Sequence, residues 1–170
     1  MIILMAGMPG TGKSTMAREL ARHTQGAVLS KDEIRAALFA AEDIEFSTAQ
    51  DDFVMDLMLQ GATYLWQRNP ERVVFLDGRT FSRRYQIERV LNFANGFGQH
   101  AVILECVCSV ETARARLDIA PDPLHPATNR NFNLHQQVKA RFETITHPKT
   151  VIDTDQPLQD CVRQALAAFP

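Results

Sequence analysis

The sequence predicts an α/β fold in which a parallel sheet carries helices on both faces. Three observations lead there. Five short β-rich runs alternate with longer helical stretches along the chain. Each run is almost unbroken in apolar character, as a strand covered on both sides requires. A glycine-rich segment, Gly7-Met-Pro-Gly10-Thr-Gly12-Lys13-Ser14-Thr15, joins the first run to the first helical stretch.

The strands are expected at 2–6, 27–30, 72–77, 100–107 and 149–153. The helices are expected at about 13–24, 32–40, 48–68, 82–95, 109–117, 133–143 and 157–168. Ser30 with Glu33, and Ser47 with Gln50, each have the spacing of a capping box at a helix start. Asn69-Pro70 ends the long helix, because proline pushes the residue before it out of the helical region. Gly96 and Gly98 close the next one. Phe53, Leu57, Gly61 and Leu65 of the 48–68 helix repeat at helical spacing and read as its core stripe. Residues 118–131 carry three of the eight prolines and read as an extended, exposed connection.

Composition narrows the class. With 170 residues and no repeat or linker, the chain fits one domain. A net charge of −2 gives no overall attraction to nucleic acid or anionic membranes. No apolar run is long enough to cross a membrane, and the apolar N-terminus lacks the basic leader of a signal peptide. Three cysteines do not make a disulfide framework, so a reducing cytoplasm is expected. Cys106 and Cys108, two apart in an expected strand, read as core residues, and the histidines show no metal-ligand spacing. The basic residues are fourteen arginines against four lysines, so one ammonium among so few is a candidate for a dedicated task.

The glycine-rich segment supplies that task, since it matches G-x-x-x-x-G-K-[ST]. A chance match occurs on the order of once in 200 chains of this length. Its context, after an apolar strand and before a helix, is the one a phosphate loop needs. Gly7, Pro9, Gly10, Thr11, Gly12, Lys13, Ser14 and Thr15 would then wrap the phosphates of ATP, with backbone N–H groups and the helix dipole facing the anion. Lys13 would bridge the β- and γ-phosphates, and the Ser14 hydroxyl would ligate Mg²⁺.

Other nucleotide-binding classes lack their marks here. The Asn/Thr-Lys-x-Asp guanine reader of GTPases is missing, as is the serine-glycine signature of transporter ATPases. The chain is also too short for the second helical domain of AAA+ motors.

The phosphate loop, followed by Ser30-Lys31-Asp32-Glu33-Ile34-Arg35 and Val73-Val-Phe-Leu-Asp77-Gly78, resembles the P-loop kinases of the nucleoside monophosphate kinase-like group. The resemblance is to the AAA_33-type branch, with its polynucleotide kinases, chloramphenicol phosphotransferase and gluconate kinase-like enzymes. It implies a three-layer P-loop NTPase fold with a five-stranded parallel sheet of order 2-3-1-4-5. It also implies transfer of the ATP γ-phosphoryl group to an acceptor hydroxyl. A substrate-binding insert is expected at about 32–68 and a lid at about 112–133.

Asp32, just past the second strand, lies where open α/β sheets bind ligands and could take the acceptor's proton. The resemblance gives Arg35 a contact to substrate or phosphate. It also gives Asp77 the place of a Walker-B aspartate, holding Mg²⁺ with Ser14 or orienting substrate. Arg79 is placed to reach the cleft. From the lid, Arg116 and Arg130 are the first choices to neutralise transition-state charge.

Residues 32–68 hold eight acids and two bases, a balance of −6, which leaves +4 elsewhere. That favours a small neutral or cationic acceptor, such as a sugar or an aminoglycoside-like antibiotic, over nucleic acid. Two alternatives stand beside it. One is a polynucleotide 5′-hydroxyl kinase using Arg79, Arg83, Arg84 and Arg89 as a strand-binding surface. The other is an ATP-binding regulator without transfer. The sequence is silent on oligomeric state.

Overall fold

The computed structural model describes residues 1–119 and 130–170. Strands β1 (Ile2–Ala6), β2 (Ala27–Ser30), β3 (Val74–Asp77), β4 (Ala101–Val107) and β5 (Thr150–Asp153) form one sheet in the order β2-β3-β1-β4-β5. Every pairing is parallel. The described helices are α1 (Lys13–Thr24), α2 (Lys31–Leu38), α3 (Thr48–Arg68), α4 (Arg84–Gly96), α5 (Val110–Asp118), α6 (Phe132–Arg141) and α7 (Leu158–Leu166). A short 3-10 turn, Ala41–Asp43, precedes α3. The strand order is the one the family resemblance implies, and the seven helices among the described residues are those the sequence predicts. Of the expected proline-rich connection, residues 120–129 lie outside the described residues.

Alternation along the strands builds two cores. Ile2, Leu4 and Ala6 of β1 join Val74, Leu76 and Ile103 under α3 and α4. Ile3 and Met5 join Phe75, Leu104 and Ile152 under α1 and α7. All five β1 side chains are buried, as the central strand of a doubly covered sheet demands. Each full burial of an isoleucine or leucine contributes about 1.5–3 kcal/mol. No helix among the described residues is long and apolar enough to cross a membrane.

The stripe expected on α3 is corrected by one position. Val54, Met55, Met58, Leu59, Ala62 and Trp66 face the core, while Phe53 is 52% exposed and leans on Phe39. Apolar residues surround much of this helix, so spacing alone left its rotation open.

The caps are half of what their sequences suggest. Ser30 Oγ accepts from the Glu33 N–H, and Ser47 Oγ from the Gln50 N–H. The return bonds are spent elsewhere. Glu33 pairs with Arg18, and the Gln50 side chain accepts from the Glu45 N–H and donates to the Asp43 carbonyl. Gln50 thereby fixes the turn that carries Phe46.

Candidate active site

The functional candidates converge because parallel strands deliver their following loops to one edge. The phosphate loop follows β1, Lys31 and Asp32 follow β2, and Gly78 follows β3. Ser30 pairs opposite Asp77, so the two acidic loops emerge side by side. Between β3 and β4, β1 marks the switch point where such sheets open a ligand crevice.

Two glycines permit the close approach. Gly7 has φ +130°, and a Cβ there would stand 2.3 Å from the Cys106 carbonyl oxygen. Gly78 has φ +86°, and its Cβ would stand 3.1 Å from the Lys31 backbone nitrogen. Any larger residue at Gly78 would push the exit of β3 away from the start of α2.

The phosphate loop is wound on its own carbonyls and braced from outside. Thr11 Oγ1 and Lys13 Nζ donate to the Met8 carbonyl at 2.8 and 2.7 Å. Arg116 donates to the Gly10 carbonyl at 3.3 Å and to Thr154 Oγ1 and the Thr154 carbonyl at 2.9 and 2.8 Å. Thr154 Oγ1 stands 3.2 Å from the Thr11 carbonyl. The first N–H groups of α1 have no intrahelical acceptor and would donate to an anion bound at this end.

A cavity of about 250 Å³ opens on the loop. Pro9, Gly10, Gly12, Lys13, Ser14 and Thr15 supply one wall, and Lys31, Asp32, Arg35, Phe46 and Asp51 another. Arg130 and the α6 residues Leu134, Val138 and Arg141 form a third, and Arg18, Gly78 and Thr80 also line the cavity.

At the second wall, Asp32 Oδ1 lies 3.7 Å from Lys31 Nζ and 3.6 Å from Arg35 Nη1. Asp51 Oδ1 accepts from Lys31 Nζ at 2.7 Å and pairs with Arg35 Nη2. The Arg35 guanidinium rests 5.2 Å from the Phe46 ring centroid. Phe46 itself has φ +49°, a left-handed conformation costing a bulky residue about 1–3 kcal/mol. The fixed turn before α3 holds it there.

Asp77 is 3% exposed, and its Oδ1 has no hydrogen-bond partner among the described residues. An unpartnered buried carboxylate oxygen beside a phosphate loop fits a cation. Ser14 and Asp77 are therefore the residues that would hold Mg²⁺.

Burial lowers Lys13 to about 8, with Asp77 the largest opposing influence. Burial likewise lowers Lys31 to about 8, opposed first by Asp32. If Lys13 bridges the phosphates as its place in the loop motif predicts, a bound triphosphate requires its ammonium. Below pH 8 the free protein already carries it; above pH 8 binding must take up a proton. MgATP affinity should thus be flat to about pH 7.5 and weaken above 8 by up to about tenfold per unit. Calorimetric titration between pH 6.5 and 9.5 measures this, and constant affinity to pH 9.5 would refute the lysine assignment.

Two expected site residues, Arg79 and Arg116, take other positions, and of the two cysteines expected in the core one leaves it. Arg79 is buried and pairs with Asp52 at 2.6 Å, so it does not line the cavity. Thr80, the next residue, lines it instead. Arg116 braces the outer side of the loop rather than the cavity. Cys106 is a core residue whose thiol burial pushes up to about 12. Cys108 is not in the core: β4 ends at Val107, and the Cys108 sulfur rests 3.9 Å from the Gly10 carbonyl.

The acidic insert also reads differently in three dimensions. Of its eight acids only Asp32 and Asp51 line the cavity. Asp52, Asp56 and Glu33 pair with Arg79, Arg89 and Arg18, and Glu42 and Asp43 lie on the exposed 3-10 turn. Arg83 and Arg84 pair with Glu143 and Glu88. Sequence reasoning missed Lys31, Phe46, Asp51 and Arg141 as residues of the cavity wall. Lys31 beside Asp32 was the one signal available; the others become site residues only through tertiary contacts.

An apolar strand, a phosphate loop and a helix beginning at its lysine, set at the switch point of a 2-3-1-4-5 sheet, define a P-loop nucleotide-binding fold. Residues 2–145 match AAA_33, described as an AAA domain, and the chain belongs to that family. No curated protein matches the sequence significantly.

Solved structures share the fold. A sugar kinase of Janibacter sp. is 16% identical with a TM-score of 0.70, over 98% of this chain and 92% of that one. The Mycobacterium tuberculosis APS kinase CysC, in complex with AMPPNP and APS, is 16% identical with a TM-score of 0.72, over 98% and 95%. Chaetomium thermophilum Kti12, in complex with ADP-AlF3, is 14% identical with a TM-score of 0.71, over 100% of both chains.

Proposed function

We propose that this protein is an ATP-dependent kinase that moves the γ-phosphoryl group to a hydroxyl of a small, uncharged acceptor. One observation carries the reading: the phosphate loop and Asp32 line the same cavity. Lys13 and the α1 N-terminus bind the phosphates, and Arg130 and Arg141 offset their remaining charge. Asp32 accepts the proton of the acceptor hydroxyl as its oxygen bonds to the γ-phosphorus. The bond from that phosphorus to the β-phosphate oxygen breaks, and ADP leaves. A Mg²⁺ ion at Ser14 and Asp77 would neutralise charge on the β- and γ-phosphates.

The acceptor's character follows from the second wall. Lys31 and Arg35 are balanced there by Asp32 and Asp51, which supports an uncharged polyhydroxylated molecule. Arg35, with Phe46 beneath it, is the residue to orient that molecule. The arginines at 79, 83, 84 and 89 are already paired with carboxylates, which argues against a strand-binding surface.

The test is a γ-labelled ATP assay with three acceptor pools: neutral sugars and polyols, sugar acids, and 5′-hydroxyl oligonucleotides. Label is expected in the first pool. Label in the acids would overturn the uncharged acceptor, and label in the oligonucleotide would overturn the small one. Tight ATP binding with no labelled product in any pool would favour a nucleotide-sensing regulator.

A further inference from the structure

We propose that His135 is a positioning residue for the nucleotide phosphates, acting from α6 through the Pro9 carbonyl. The inference rests on the phosphate-loop reading and extends it to a helix outside the motif. His135 is 2% exposed, and its Nδ1 lies 2.7 Å from the Pro9 carbonyl oxygen. A carbonyl oxygen only accepts, so Nδ1 carries the proton and donates. Nε2 is buried and has no partner among the described residues, which leaves the loop as the imidazole's single polar engagement there.

The consequence lies in the next peptide unit. No peptide bond described is cis, and across a trans peptide the carbonyl and the following N–H point in opposite directions. Holding the Pro9 carbonyl therefore fixes the direction of the Gly10 N–H. That N–H donates to no described backbone group, whereas Gly7 and Thr11 spend theirs on Thr80 and Met8. An amide of fixed direction, without a backbone acceptor among the described residues, is what a phosphate oxygen requires. Proline contributes no N–H of its own, so the carbonyl is the only backbone handle at this position.

The imidazole is itself held in place. Phe132 stacks on it with ring centroids 5.4 Å apart and planes 11° apart. Arg114 lies over the other ring, 4.1 Å from the Phe132 centroid. A continuous line of contacts, Arg114–Phe132–His135–Pro9, thus joins α5 and α6 to the phosphate loop. Gly10 and Thr11 have their carbonyls engaged by Arg116 and Thr154, so three successive carbonyls are held from three separate elements. Only the His135 contact comes from the helix that also supplies Leu134, Val138 and Arg141 to the cavity wall.

The test compares His135→Asn, His135→Gln and His135→Ala by calorimetric MgATP binding at pH 7. The asparagine amide nitrogen occupies the position of Nδ1, whereas that of glutamine reaches the position of Nε2. Alanine and glutamine are expected to weaken MgATP about tenfold, and asparagine to restore affinity to within about twofold of the original protein. A role in packing alone would not distinguish the two amides in this direction. Equal losses in both, or no loss in any variant, would overturn the proposal. Should the alanine variant fail to fold, the amide comparison decides the question. Absence of nucleotide binding by the unaltered protein would overturn the phosphate-loop reading, and the proposal with it.

Discussion

Lys13→Ala is expected to lower MgATP-dependent transfer by about 10³ in kcat/KM, roughly 4 kcal/mol of transition-state stabilisation. The size follows from burial: Lys13 is 8% exposed, and an ammonium in such a site acts on phosphate charge with little screening by water. In the free protein Nζ donates to the Met8 carbonyl, so the group is held at the mouth of the loop before nucleotide arrives. Its removal also takes away a positive charge that interacts with buried Asp77, and MgATP binding is expected to weaken along with turnover. Transfer assays and calorimetry on one preparation measure both effects. A variant with the original kcat/KM would exclude the phosphate-loop mechanism.

Asp32→Asn is expected to act on chemistry and spare binding. Loss of a general base costs about 10²–10⁴ in rate, while MgATP affinity should stay within about twofold. Asparagine keeps the shape of the side chain and removes its capacity to take the acceptor's proton. Lys31 and Arg35 retain Asp51 as an ion-pair partner, so the wall does not lose both its acids. Single-turnover transfer, measured beside nucleotide affinity, separates the two roles. Unchanged transfer would place the base elsewhere; a parallel loss of affinity would make Asp32 part of the nucleotide site.

The architecture was readable because its signals are local. Unbroken apolar runs marked the strands, and their limits moved only slightly. The run at 72–77 pairs with β1 from Val74 onward, and the run at 100–107 from Ala101. The phosphate loop was readable for the same reason, since its geometry is written in consecutive residues. Direction of side chains was not. Asp51 and Asp52 are adjacent and chemically identical, yet α3 sends one to Arg35 in the cavity wall and the other to Arg79. Successive helical residues differ by about 100°, and only the docking of α3 on the sheet decides which faces the site. His135 is the sharper case. Nothing in its sequence surroundings marks it beyond the absence of metal-ligand spacing among the histidines, and only the fold brings Pro9 to its ring. The charge balance of residues 32–68 pointed to a small acceptor without showing which acids face it, because a sum over sequence ignores which acids are already paired.

The most direct measurement follows a γ-phosphoryl label from ATP in the unaltered protein and in Asp32→Asn, assayed side by side with a pool of neutral hydroxylated acceptors. The account predicts labelled acceptor from the unaltered protein and at least about a hundredfold less from the variant, at similar MgATP affinity. Equal labelled product from both, or no labelled acceptor from a protein that binds MgATP tightly, would contradict it.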